Sequence, residues 1–158
     1  MVNIQYDSTI DLHYRSDGHR HLNIPVFYNT NENNNNSIDF ILDTGAYVTV
    51  LTKRTAELFG FDRLIPLAKN LPLTGFAGYK VEGDLIEIPI LLGGKRLEAK
   101  VVVPYVHIEN NILGLNVLEH FNYSIDNTND KIHFSSNANY KANNTLMCSN
   151  IWSVSDKT

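Results

Sequence analysis

The run Phe40-Ile41-Leu42-Asp43-Thr44-Gly45-Ala46 carries an acid out of an apolar stretch straight into a turn, and a second apolar stretch, Val48 to Leu51, follows at once. A carboxylate among apolar residues is expensive to bury unless something stabilises it. An acid in that setting is a candidate for proton transfer, as general acid or general base. Gly45 lets the chain turn sharply and lets backbone N–H groups approach the acid closely. Asp, Thr and Gly are also common turn residues, so the tripeptide alone does not exclude a surface turn.

The elements around Asp43 must hold it. Ile38 to Leu42 reads as the strand that presents it, and Val48 to Leu51 as a second, short, β-branched strand. Thr52 is placed to cap a helical segment, Lys53 to Phe59, that ends at Gly60. Leu64 to Leu73 contains Pro66 and Pro72 and reads as irregular. Leu73 to Asp84, with Gly75, Gly78 and Gly83, reads as a glycine-tipped hairpin. Leu85 to Leu92 and Leu97 to Val103 are strong strand signals joined by Gly93-Gly94. Leu115 to Phe121 has the spacing of a short amphipathic helix. Tyr123 to Ile125 and Lys131 to Phe134 bracket a turn, Asp126 to Asp130, and so predict a third hairpin.

Upstream, Leu22 to Tyr28 reads as a strand, with Pro25 favouring an edge or a bulge. Asn29 to Asn36 reads as a tolerant surface loop. Residues 1–23 suggest an extended segment or hairpin, from the period-two spacing of Val2, Ile4 and Tyr6 and of Ile10 and Leu12. Residues 135–158 form a polar tail interrupted by Leu146, Met147, Ile151, Trp152 and Val154; it is expected to be loose or to add a strand to an interface.

At 158 residues the chain is long enough for one domain with a real core. A net charge of −4 disfavours general nucleic-acid binding. One cysteine, Cys148, excludes an internal disulfide, and no Cys/His cluster has zinc spacing, so neither metal nor cofactor is expected. Met1 to Ile10 has no basic n-region and no long apolar h-region, so no secretory signal is expected; no apolar stretch approaches the length needed to span a membrane, and the expected compartment is the cytoplasm.

The order of parts is more specific than any one motif. A strand ending in Asp-Thr-Gly-Ala, a glycine-tipped hairpin, two long strands, then an apolar-apolar-Gly segment opening a short helix: this resembles the retropepsin-like aspartic proteases, over roughly Ile24 to Phe134. The run Ile112 to Leu118 with Tyr123-Ser124-Ile125-Asp126 is more similar to the cellular DNA-damage-inducible type and its bacterial relatives than to retroviral enzymes. The resemblance implies an all-β fold, a closed barrel of the acid-protease type with a flap hairpin and one short C-terminal helix. The domain would span 24–134, with flanking segments 1–23 and 135–158.

Position by position, the resemblance makes Asp43 the catalytic acid. Thr44 becomes the residue whose hydroxyl ties two active-site loops together across a dimer, and Gly45 and Ala46 complete the loop. Gly75-Phe76-Ala77-Gly78 falls at the flap tip, and Ile112-Leu113-Gly114 packs beneath the active-site loop. Leu115 stands where retroviral enzymes usually carry an Arg used in a dimer contact, and Tyr47 stands where a small or polar residue is commoner. Only one Asp-Thr-Gly occurs, whereas aspartic proteolysis needs two carboxylates, one ionised and one protonated. A homodimer with its axis between two copies of Asp43, acting on an extended peptide or protein, is therefore implied.

Other chemistry-bearing residues read more simply. Asp39 shares a strand face with Asp43 by period two and is expected at a solvent-facing position. Asp126 reads as a hairpin residue, and His107, His120 and His133 as structural. His19 and His21 lack a third ligand and read as a solvated pair. Two further readings stay open: a non-catalytic module of the same fold that binds peptides or dimerises, and a protease whose ends regulate it until processed.

Overall fold

Apolar residues at every second position decide which strands close on one another. Ile24 and Val26 in β2 (Asn23–Tyr28) and Ile38, Phe40 and Leu42 in β3 (Ser37–Leu42) repeat with the strand period, and each is buried. The structure, a computed structural model, describes residues 6–11, 22–28, 37–75, 78–135 and 152–154. The remaining elements in chain order begin with β1 (Tyr6–Asp11), β4 (Thr49–Val50), α1 (Lys53–Leu58) and a 3-10 helix, Phe61–Arg63. There follow β5 (Ala68–Gly75), β6 (Lys80–Leu92), β7 (Lys95–Pro104), β8 (Ile112–Leu113), α2 (Leu115–Leu118), β9 (Asn122–Asp126), β10 (Lys131–Ser135) and β11 (Trp152–Val154).

The strand order β6-β2-β3-β8-β4-β7 closes on itself through pairing of β6 with β7, giving a six-stranded barrel. Most neighbours are antiparallel, but β3 runs parallel to β8 (Ile41 beside Ile112, Leu42 beside Leu113), and β4 runs parallel to β7. A smaller sheet, β1-β10-β9, packs Phe134 against the barrel, where its ring lies under the Gly93 backbone and edge-on to Phe121 at 5.5 Å.

Consecutive residues on the barrel strands serve two cores. Leu51, Val101, Leu113, Ile86, Ile88 and Ile90 belong to the larger cluster inside the barrel. Their neighbours Val50, Val102 and Ile112 join Ala46, Val48, Leu73 and Val81 in a second cluster. That second cluster lies on the opposite strand faces, against the stem of the β5–β6 hairpin. Burying each of the Val, Leu and Ile side chains among these is worth about 1.5–3 kcal/mol.

The local expectations hold at β2, β3, the Gly93-Gly94 hairpin and the β9–β10 hairpin. They hold too at α1, where the Thr52 hydroxyl accepts a hydrogen bond from the Thr55 N–H at 3.0 Å and Gly60 adopts φ +77°. Pro25 sits where β2 has a ladder partner on the β3 side only, since β6 pairs with just Phe27 and Tyr28. Leu64 to Leu73 requires correction. The chain becomes strand at Ala68 despite Pro72, because Pro72 has β6 on one side and, among the described residues, no ladder partner on the other. A register shift between Ala68 and Leu71, with Asn70 at φ +55°, absorbs the irregularity. α1 is a helix additional to the short C-terminal one, α2. The Asn29 to Asn36 loop, His13, His19, His21 and Cys148 lie outside the described residues.

Asp126 is a hairpin residue, as expected. Its Oδ1 accepts from the Thr128 and Asn129 N–H groups, each at 3.1 Å, and its Oδ2 from Asn129 Nδ2 at 2.8 Å. These hydrogen bonds, led by that from the Asn129 side chain, hold its carboxyl below the ordinary value of 3.8. A depressed acid stabilises the fold above its unfolded-state pKa and loses that contribution as pH falls through the folded-state value. Asp126→Ala is therefore expected to lower Tm at neutral pH, with the deficit shrinking below pH 3.8. Thermal scans from pH 7 to pH 2 check this, and a pH-independent deficit would contradict it. No helix among the described residues is long and apolar enough to cross a membrane.

Candidate active site

The Asp43 loop is built almost entirely from backbone hydrogen bonds. Where β3 ends, the Asp43 N–H donates to the Leu113 carbonyl at 3.1 Å, extending the parallel β3–β8 ladder by one residue. The chain then turns back on the acid. The Gly45 N–H donates to Asp43 Oδ1 at 2.8 Å, and the Ala46 N–H donates to the Asp43 carbonyl at 3.2 Å. Asp43 and Thr44 are half-buried, Ala46 is fully buried and Tyr47 is 49% exposed.

From below, the loop rests on Ile112-Leu113-Gly114 and the first turn of α2. The Ala46 carbonyl accepts from the Leu115 N–H at 2.7 Å, and the Tyr47 carbonyl from the Asn116 N–H at 3.1 Å. Gly114 is required by close approach: a Cβ there would lie 2.6 Å from the Val48 carbonyl carbon and oxygen and 2.8 Å from the Ala46 oxygen. The Gly114 N–H donates to Thr49 Oγ1 at 3.0 Å.

Two asparagines tie these segments together. Asn116 Oδ1 accepts from both the N–H and the hydroxyl of buried Thr49, each at 2.8 Å, while its Nδ2 donates to the Lys100 carbonyl at 2.7 Å. Asn111 Oδ1 accepts from the Thr52 N–H at 2.8 Å, and its Nδ2 donates to the Asp39 carbonyl at 3.1 Å. Neither residue is marked in the sequence, where nothing local separates a structural Asn from a loop Asn. Asp39 itself is exposed, in line with expectation.

Above the loop stands the β5–β6 hairpin. The Gly75 N–H donates to the Tyr79 carbonyl at 2.6 Å, and Gly78 has φ +77°, the left-handed conformation that a glycine accepts without strain. Phe76 and Ala77, expected at the tip, lie outside the described residues. At the hairpin base, the Tyr105 hydroxyl donates to Asp84 Oδ1 and accepts from the Asn70 N–H at 2.9 Å, and the Tyr105 N–H donates to the Glu82 carbonyl at 2.9 Å. Hydrogen bonding to Asp84 holds the Tyr105 proton and raises its pKa above 10.0. Tyr105, Asn70 and Asp84 thus join the hairpin to the segment after β7, a contact that no sequence signal announces.

The family model described as "gag-polyprotein putative aspartyl protease" matches residues 30–120. The chain belongs to the retropepsin-like aspartic protease family. No curated protein matches it. Among solved structures, it is similar to a retropepsin-like aspartic protease from Rickettsia conorii, at 25% identity and a TM-score of 0.55, over 85% of this chain and 95% of that one. It also matches the EIAV protease complexed with the inhibitor HBY-793, at 21% identity and a TM-score of 0.48, over 67% of this chain and 92% of that one. The retroviral protease-like domain of Ddi1 from Leishmania major matches at 20% identity and a TM-score of 0.49, over 76% of this chain and 98% of that one. The retropepsin-like fold, mostly β with a closed barrel, is thereby established for this protease-family chain.

Proposed function

We propose that the protein is an aspartic endopeptidase that works as a two-fold homodimer, with Asp43 as its catalytic acid. The observation that carries this reading is the Asp43 loop. A half-buried carboxylate is held by the Gly45 N–H, seated on Leu113 and Gly114, and overhung by a glycine-tipped hairpin, all within a protease-family fold. Each chain supplies one Asp-Thr-Gly, so two chains supply the pair.

Two carboxylates about 3 Å apart do not both ionise, and the pair shares one proton. The ionised Asp43 takes a proton from a water molecule as the water oxygen bonds to the scissile carbonyl carbon. The protonated Asp43 donates toward the carbonyl oxygen as charge develops there. The tetrahedral species then collapses: the C–N bond breaks, a proton passes to the leaving nitrogen, and acid and amine products separate. The pair titrates as one unit. In this reading Thr44, Gly45 and Ala46 shape the loop, and the Thr44 hydroxyl bonds across the dimer axis. Gly75 to Gly78 form the flap tip over an extended substrate, Ile112 to Gly114 support the loop, and residues 24–134 are the catalytic unit.

The test is hydrolysis of a denatured protein mixture from pH 3 to pH 8, with sedimentation measured at the same protein concentrations. Specific activity is expected to rise with concentration as dimer forms. Activity in a strictly monomeric sample, or a stable dimer without activity at any pH, would overturn the proposal, the latter in favour of a binding module.

A further inference from the structure

The flap carries a strand that the chemistry above does not use. β11 pairs antiparallel with β5, setting Trp152 opposite Gly75, Ser153 opposite Thr74 and Val154 opposite Leu73. β6 occupies the other side of β5 over the same residues, so β11 covers the remaining hydrogen-bonding edge of the flap there. β5 itself lies against the candidate catalytic loop: Leu73 is fully buried in one cluster with Ala46, three residues beyond Asp43. Gly75, at the other end of the ladder, closes the flap turn onto Tyr79.

An extended peptide is captured most simply by adding a strand to such an edge, through its backbone and with little regard to sequence. We infer that the chain's own residues Trp152 to Val154 occupy the flap edge that a peptide substrate needs, so that the C-terminal segment is a competitive intramolecular ligand of the active site. This rests on the protease reading. A tethered segment acts at high effective concentration, so even a short ladder competes well with free peptide. If it holds the edge nine-tenths of the time, the apparent affinity for substrate falls about tenfold while turnover of bound substrate is unchanged.

Antiparallel ladders bond alternate residues, so of Ser153 and Val154 one donates its N–H to β5. Full-length Ser153→Pro and Val154→Pro are therefore compared with wild type, since one of them must lose a ladder bond. Two measurements are made: amide hydrogen exchange at Thr74, whose N–H faces β11 because that of Gly75 faces Tyr79, and KM and kcat on oxidised insulin B chain. In one variant, exchange at Thr74 is expected to accelerate and KM to fall, each by about tenfold, with kcat unchanged. Unchanged exchange and unchanged KM in both variants, with wild type active, would overturn the inference and leave the protease reading standing. Accelerated exchange with no hydrolysis by any of the three proteins would overturn the protease reading and the inhibitory role together.

Discussion

Asp43→Asn is expected to reduce peptide hydrolysis by roughly a thousandfold or more, the order carried by a general acid–base group. The amide can neither accept the proton of the attacking water nor share one proton with its twin. The fold should not suffer. Asn matches Asp in shape, and its Oδ1 can still accept the Gly45 N–H that Asp43 accepts at 2.8 Å. Tm is expected to stay within a few degrees of wild type, and to rise slightly if the change relieves repulsion between two acids at the dimer axis. The measurements are initial rates on denatured protein, a thermal scan and sedimentation. An Asp43→Asn dimer that still cleaves would show that the carboxylate is not the reacting group.

Gly114→Ala is expected to be strongly disruptive for a single added methyl. The added carbon would lie 2.6 Å from the Val48 carbonyl carbon and oxygen and 2.8 Å from the Ala46 oxygen. Those are backbone atoms, held in place because Ala46 and Val48 are buried and the Ala46 carbonyl is bonded to the Leu115 N–H. Nothing there yields by rotating a side chain, so backbone must move. Overpacking of this kind costs about 3 kcal/mol, or roughly 6–12 °C in Tm for a chain of this size. The displaced loop carries Asp43, so hydrolysis should fall further than the folded fraction does. A Tm unchanged to within a degree would mean that the loop does not rest on Gly114 in solution.

The parts that could be read in the sequence were those written locally. β3 follows from alternation at Ile38, Phe40 and Leu42, and α1 from Thr52 at its start and Gly60 at its end. The β6–β7 turn follows from Gly93-Gly94, which adopt φ +57° and +79° as a two-residue hairpin turn of that sort requires. What escaped depends on residues distant in the chain. The start of β5 at Ala68 depends on β6 for its ladder, and Pro72 hid it. The parallel pairings β3–β8 and β4–β7, and the pairing of β2 with β6, bring together segments that no period links. At the site, Asp43 and Gly114 announced themselves by type and order. Asn111, Asn116 and Tyr105 did not, because their importance lies in which carbonyl or hydroxyl each meets, 16 to 72 residues away.

β6 is also a party wall. Its odd-numbered residues Val81 and Leu85 face the compartment beneath the β5–β6 hairpin, and its even-numbered Ile86, Ile88, Ile90 and Leu92 face the barrel interior. Strand residues change sides one by one, so a single-residue insertion near Asp84 would send half of this wall's apolar furniture into the wrong room. Natural variation in the reach of this hairpin should thus arrive in steps of two, or else carry a bulge that restores the parity.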